Sequence, residues 1–255
     1  MPNHELPMVP RLSKSKYMSG NQCHKRLYLE IRSPELATPT NEADQARMDM
    51  GTEVGALARQ RFSGGVHVEH DHLHRKEALQ QTAELLNNPN VPAIFEGAFE
   101  FEHTVVRVDI LERVGNGKCR LIEVKASTKV KDEHYSDVAV QTYVLKGAGI
   151  ALASSWLMHL NNKYAYQGGG FDLEKIFTLK DLTAETAKLQ SKVPLRLAEM
   201  RAALAAALPP AIEPDHHCHE PYGCHFWEHC TKDKPARWVY HLPGRGKKKA
   251  FHDLV

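Results

Sequence analysis

This 255-residue sequence has no stretch of about 18 consecutive apolar residues, so no transmembrane helix and no membrane association are expected. Residues 1–10, M-P-N-H-E-L-P-M-V-P, lack the apolar core of a secretory signal, which makes a cytoplasmic location the expectation. Charge of one sign is not in excess either. A net charge of +2 excludes a chain that binds nucleic acid by polybasic attraction along its whole length. No internal repeat is apparent. Cysteine is scarce, five in all, and in a cytosolic chain such cysteines are thiols or metal ligands rather than disulfides. Histidine is abundant by contrast, with 16 residues, many of them near cysteines.

The most informative stretch is residues 105–125, V-V-R-V-D-I-L-E-R-V-G-N-G-K-C-R-L-I-E-V-K. Two apolar runs flank Gly-Asn-Gly, the pattern of a β-hairpin. Asp109 interrupts the first strand. Glu123 and Lys125 lie two apart on the second and therefore point to one face. Carboxylates buried on a sheet need a metal, a cation or hydrogen-bond donors. The chemistry that uses such a trio is metal-assisted hydrolysis. Two carboxylates hold a divalent cation while the lysine orients water or steadies charge developing on a phosphate.

Around this hairpin the pattern predicts a helix from Ser13 to about residue 32 with a break near Gly20, and a loop at 33–40. A long amphipathic helix follows at 41–62, with Met48, Val54, Leu57, Ala58 and Phe62 as core positions. Gly51 and Gly55, one turn apart on it, suggest close packing or the approach of a substrate, and Glu53 lies between them within reach of a metal. The first helix carries the cations Arg11, Lys14, Lys16, Lys25, Arg26 and Arg32 against one acid, Glu30, which reads as a solvated face or a phosphate-contacting surface. Short strands are expected at 66–69 and 94–101, with Glu96 on the latter reading as a surface acid or as an acid on the side of Asp109. A loose solvent-facing cluster is expected at His70, His72 and His74. Helices are expected at 75–87 and 134–147, a buried strand at 151–160, and a helix at 181–208 broken or kinked at Pro194. The order of elements predicts an α/β fold, a mixed central sheet flanked by helices.

The C-terminal segment D-H-H-C-H-E-P-Y-G-C-H-F-W-E-H-C spaces Cys218, Cys224 and Cys230 evenly in polar sequence, which points to metal or cluster ligation. Cys23 is the natural fourth ligand, since Cys119 sits on the hairpin as a core or edge residue. Four thiolates suit zinc or an iron–sulfur cluster, and His216, His217 and His219 keep zinc open. Such a site would join the N- and C-terminal segments.

Asp109 followed by Glu123-Val124-Lys125 resembles the D…E-x-K signature of the PD-(D/E)XK nuclease superfamily. The order of features is similar to its RecB-like branch and in particular to the iron–sulfur nucleases there, such as CRISPR-adaptation and helicase-associated exonucleases. Residues 13–30, 122–132 and 221–230 carry the likeness, which spans about residues 11–240. The resemblance implies a restriction-endonuclease-like core and a magnesium- or manganese-dependent deoxyribonuclease, an exonuclease on single-stranded DNA with a role in DNA repair. It implies metal ligation by Asp109, Glu123 and the carbonyl of Val124, with Glu96 or Glu53 as a further ligand, and positioning of the attacking water by Lys125. Gln141 and Tyr143 would complete the site, and Cys23, Cys218, Cys224 and Cys230 would ligate a 4Fe–4S cluster. Tyr17, Tyr143 and Trp227 are candidates for stacking on bases. A helicase or a second nuclease-like domain is the implied partner. Residues 1–62 then form an N-terminal helical segment with the first cysteine, 63–178 the nuclease core, 179–240 the C-terminal helix and three-cysteine segment, and 241–255 a basic tail. The sequence departs from the branch in three places. Gly55 stands where a histidine is usual, Gln141 and Tyr143 are closer than its Gln-x-x-x-Tyr spacing, and the last three cysteines are spread more widely. The alternative is a nucleic-acid-binding module of the same fold with hydrolysis lost and the metal or cluster kept as a staple.

Overall fold

The computed structural model describes residues 10–71, 73–235, 238 and 240. Most of the loose start, His72 of the histidine cluster and the basic tail at 241–255 lie outside the described residues. In chain order the elements are β1 (Leu12–Ser13), α1 (Lys14–Gln22), α2 (His24–Arg32), α3 (Glu42–Arg59), β2 (Val66–His67), α4 (Arg75–Asn87), β3 (Ala93–Phe101), β4 (Thr104–Gly115), β5 (Lys118–Lys125), α5 (Asp132–Gly147), β6 (Leu152–Leu160), α6 (Leu173–Ile176), β7 (Phe177–Asp181), α7 (Thr183–Leu189), α8 (Lys192–Ala205) and α9 (Trp227–Thr231). No described helix is long and apolar enough to cross a membrane. The described residues divide into two compact units, one holding Arg11–Lys14 and Glu42–Pro194, the other Ser15–Asn41 and the described residues from Leu195.

The larger unit is the expected mixed sheet flanked by helices. Its strand order is β2-β3-β4-β5-β6-β7, and β1 adds to β4. β3, β4 and β5 form an antiparallel meander, β5 and β6 are parallel through α5, and β7 returns antiparallel to β6. Neighbouring residues of β5 serve opposite faces. Leu121 packs with Val138, Val144 and Leu145 of α5, and Ile122 packs with Val54 and Ala58 of α3, Phe177 and Met158. Each such side chain contributes roughly 1.5–3 kcal/mol when buried, which holds helices on both faces. The hairpin turn is as the sequence predicts: Gly115, Asn116 and Gly117 have φ of +90°, +52° and +69°, values that glycine and asparagine tolerate.

Two irregularities shape the middle of the sheet. The β4–β5 ladder ends at Ile110↔Ile122, and β1 takes over that edge of β4 at Leu12↔Thr104 and Ser13↔Val105. Residues 106–109 between them have no ladder partner on that side, so β4 and β5 part at Asp109. On the other edge the β3–β4 ladder runs from Phe95↔Ile110 to Gly97↔Val108 and omits Glu96 and Asp109. Glu96 there has φ +54°, a left-handed conformation that costs a non-glycine residue on the order of 1 kcal/mol.

In the smaller unit α1 and α2 break at Cys23 rather than near Gly20. Cys23 is extended (φ −164°, ψ 122°) and is the N-cap residue of α2, while Gly20 is helical and serves close packing: a Cβ there would lie 2.7 Å from the Met200 sulfur. Tyr28 Oη donates to the carbonyl of Ala207 at 3.1 Å, and Arg32 donates to that of Leu204 at 3.1 Å. The helix expected over 181–208 divides before Pro194, which sits in the first turn of α8, where no N–H is required of it. Of the expected helix only its first residue, Asp181, belongs to β7; α7 begins at Thr183. Met48, expected in the core, is 52% exposed. Gly51 does not serve close packing: a Cβ there would meet nothing within 4 Å, and one at Gly55 would meet only the Arg59 guanidinium at 3.9 Å.

Candidate active site

The parting of β4 and β5 leaves Asp109 and Glu123 side by side with no ladder between them. Asp109 Oδ2 accepts the Val124 N–H at 2.7 Å and so bridges the gap with its side chain. Residues of a strand direct N–H and C=O to the same side, so the Val124 carbonyl is presented along the same edge as Asp109. Glu123 and Lys125 face α5, as their spacing predicts. Glu123 is 1% exposed, the most deeply placed acid of the site.

Three groups satisfy it through four hydrogen bonds. Lys125 Nζ donates to Glu123 Oε1 at 2.7 Å. Lys14 Nζ reaches both oxygens, at 2.9 and 3.0 Å. Gln141 Nε2 donates to Oε2 at 2.8 Å. Asp137 stands one helical turn before Gln141 on α5 and closes the ring: it accepts from Lys125 at 2.5 Å and from Gln141 at 3.0 Å, and Lys14 lies 3.6 Å from it. Three carboxylates and two ammoniums thus converge on one side of the sheet.

Their electrostatics follow from burial and pairing. Burial works to raise the pKa of Glu123, but Lys125 and Lys14 outweigh it and hold the carboxyl far below the usual range. Burial works to lower Lys14, yet Asp137, Glu123 and Asp109 keep its ammonium charged well above the ordinary lysine range. Lys125 is raised for the same reasons, against burial, by Glu123 and Asp137. Asp109 is pushed up to about 8 by burial and by the neighbouring Glu123 charge, which Lys14 only partly offsets. His134, on the first turn of α5, is lowered to about 4 by burial and by Lys125, and accepts the Lys131 N–H as a neutral ring.

A cation fits this donor set. Gln141 Oε1 is buried without a hydrogen-bond partner, and its amide cannot turn without losing the donations to Glu123 and Asp137. Asp109 makes no ion pair within 4.0 Å among the described residues, which leaves it open to a metal. Of the other expected ligands, Glu96 lies close enough to raise the Asp109 pKa, and its carboxylate meets Arg107 at 3.5 Å and Arg59 at 3.9 Å. Glu53 is exposed on α3. Tyr143 is not brought to the carboxylates. Its hydroxyl donates to Glu102 at 2.6 Å and its ring packs edge-on to Phe101 at 5.5 Å. Lys14 had been read only as one cation of a basic face, and Asp137 carried no signal beyond lying one turn before Gln141.

The rest of that basic face is engaged. Lys16 and Arg26 pair with Glu30 at 3.0 and 2.9 Å, Lys25 and Arg32 donate to the carbonyls of Ile212 and Leu204, and Arg11 pairs with Glu100 at 2.9 Å. It is not a free phosphate-contacting surface. Of the aromatic candidates, Tyr17 is 3% exposed, and Trp227 packs with His219 at 4.4 Å and Trp238 at 5.7 Å.

In the smaller unit Cys23, Cys218, Cys224 and Cys230 line one small cavity of about 10 Å³ with Phe226, Ile212 and Pro214. None is in a disulfide. Gln22 Nε2 ties the segments together through the carbonyls of His217 at 2.8 Å and Tyr222 at 2.6 Å. The Cys218 thiol is raised to about 11, first by burial and then by the thiols of Cys224, Cys23 and Cys230. Among the described residues, the only group of three or more metal-ligating side chains with all ligand atoms within 4.8 Å of one another is Asp215, His216 and His217. No three of the four cysteine sulfurs all lie within 4.8 Å of one another, so they are not gathered as a tetrahedral zinc site, with sulfurs about 3.8 Å apart, would gather them. Cys119 lies in the sheet core.

No family model matches this chain, and no curated protein matches it significantly. Among solved structures it is similar to LHK-Exo in complex with dAMP, at 16% identity and a TM-score of 0.42 over 77% of this chain and 90% of that one. It is also similar to SSO0001, at 14% identity and a TM-score of 0.38 over 79% of this chain and 78% of that one. Both likenesses are distant, and the functional reading rests on the geometry of the site.

Proposed function

We propose that this chain is a divalent-metal-dependent deoxyribonuclease that hydrolyses phosphodiester bonds, acting as an exonuclease on single-stranded DNA. The observation that carries the reading is the nearly inaccessible Glu123 carboxylate, held by Lys14, Lys125 and Gln141 beside Asp109 where β4 and β5 part. Burying so many charges costs several kcal/mol per ion before pairing, and apolar residues would hold the sheet more cheaply. Asp109, Glu123 and the Val124 carbonyl would hold magnesium or manganese, with Glu96 near enough to share it. A bound divalent cation supplies charge for the phosphate oxygens and lowers the pKa of water. Lys125 orients the attacking water, and Gln141 and Asp137 fix the rotamers of Glu123 and Lys125. The single strand, exonuclease action and a helicase or second nuclease-like partner follow from the sequence resemblance alone.

The four cysteines are proposed to hold a 4Fe–4S cluster as a structural staple, as the sequence resemblance implies, with zinc as the alternative. A catalytically reduced DNA-binding module is the second reading. Its support is Gly55, where α3 offers no side chain and open space. The deciding experiment follows end-labelled single-stranded DNA with anaerobically purified protein in magnesium, manganese or EDTA, beside Asp109→Ala and Lys125→Ala. Metal-dependent cleavage lost in both variants supports the nuclease, whereas DNA binding without cleavage by folded wild type gives the second reading.

A further inference from the structure

We infer that the centre between β4 and β5 takes one divalent cation, and that Lys14 supplies there the fixed positive charge a second cation would bring. The inference rests on reading the centre as a metal-dependent phosphodiesterase. Two-metal sites place their ions about 3.5–4 Å apart, shared by a bridging carboxylate. Glu123 is the acid placed to bridge, but both its oxygens are engaged. Oε1 accepts from Lys125 at 2.7 Å and Lys14 at 2.9 Å; Oε2 accepts from Gln141 at 2.8 Å and Lys14 at 3.0 Å. Asp137, the next acid on that side, is held by Lys125 and Gln141 with Lys14 at 3.6 Å. Lys14 thus stands as a fixed cation on both oxygens of Glu123, within electrostatic reach of Asp109 as well, and a second metal would have to displace it. What is left for one metal is Asp109, which forms no ion pair within 4.0 Å among the described residues, with the Val124 carbonyl beside it.

The charges agree. When ionised, Asp109, Glu123 and Asp137 carry three negative charges against the two of Lys14 and Lys125; beside them Glu96 with Arg59 and Arg107 adds a net positive charge, which favours a further cation even less. One divalent cation leaves the centre with a single positive charge, which a phosphodiester neutralises. Two would leave an excess that the donor set does not balance. Lys14 is also held in advance. It follows Ser13 directly, β1 is laddered to β4, and Leu12 is 0% exposed, so the ammonium is fixed by backbone pairing before any substrate arrives. β1 attaches at the edge of β4 that β5 vacates, and the same irregularity that opens the centre admits this lysine.

The test counts bound manganese by spin resonance and calorimetry in wild type, Lys14→Met, Lys14→Gln and Lys14→Arg. The ions lost in Glu123→Ala define those belonging to this centre. Wild type and Lys14→Arg are expected to bind one such ion, and Lys14→Met two. Cleavage by Lys14→Met should fall about 100-fold at low manganese and recover at high manganese with second-order dependence. Lys14→Gln, which keeps a donor for Glu123 without the charge, gives the same count if Lys14→Met does not fold. Two Glu123-dependent ions in wild type, or one in the uncharged variants, would overturn the inference while leaving the nuclease intact. No Glu123-dependent ion in wild type would overturn the nuclease reading and this inference with it.

Discussion

The Glu123 cluster can be tested by stability without any substrate. Replacing Glu123 with glutamine keeps its shape and removes one charge. Lys14 and Lys125 then lose hydrogen bonds to an anion at 2.9, 3.0 and 2.7 Å and keep only Asp137 as an ion-pair partner within 4 Å. Breaking a buried ion pair on one side costs about 3–5 kcal/mol. The lysines are 22% and 25% exposed, so water recovers part of that and places the expected loss at about 3 kcal/mol. For a chain of this size that is a fall of about 8 °C in the melting transition of the larger unit. The measurement is thermal and urea denaturation in EDTA, read on a probe in the sheet such as Trp156. Adding Lys14→Met to Glu123→Gln should recover part of the loss, because the double variant no longer strands that ammonium. A loss below about 0.5 kcal/mol, the level of a surface pair, would refute the argument that these charges are desolvated and interdependent.

Asp109 gives a pH dependence of opposite sign to an ordinary paired acid. Its pKa is raised to about 8 from 3.8, so in metal-free protein its contribution to stability is whole below about 4 and is lost as pH rises through 8. Asp109→Asn should therefore melt above wild type at pH 9 in EDTA, with the gap closing toward pH 5; a constant gap would contradict the raised pKa. Gln141→Ala removes a donor to Glu123 and Asp137 and is expected to weaken manganese binding about tenfold by calorimetry. Cys230→Ser should abolish bound iron by elemental analysis and lower the melting of the smaller unit, and unchanged iron would remove Cys230 from the ligand set. Gly147→Ala drives a Cβ to 2.2 Å from the Phe101 ring and should cost about 1–3 kcal/mol in urea denaturation, with no change in metal binding.

Much of this could be read along the chain because it depends on local periodicity. Asp109, Glu123 and Lys125 stand out since polar residues at alternating positions of an otherwise apolar strand have to meet something buried. The Gly-Asn-Gly turn announces positive φ. Three evenly spaced cysteines in polar sequence have no packing reason to be there. The sheet with helices on both faces follows from the same patterns.

Other features depend on partners distant in sequence. Lys14 looks like one more cation on a basic helix, and only the pairing of Leu12 and Ser13 with β4 carries it to Glu123, 109 residues away. Asp137 becomes part of the site because α5 lies over β5. Tyr143 shares that helix but turns to Glu102, since residues two apart on a helix point in different directions. Gly20 is a packing glycine inside a helix rather than a breaker, since Met200 occupies the space a Cβ would need. Residue identity determined which chemistry the chain contains. Tertiary pairing decided which charges meet, because at a buried site the energy of a charge is set by its neighbours in space.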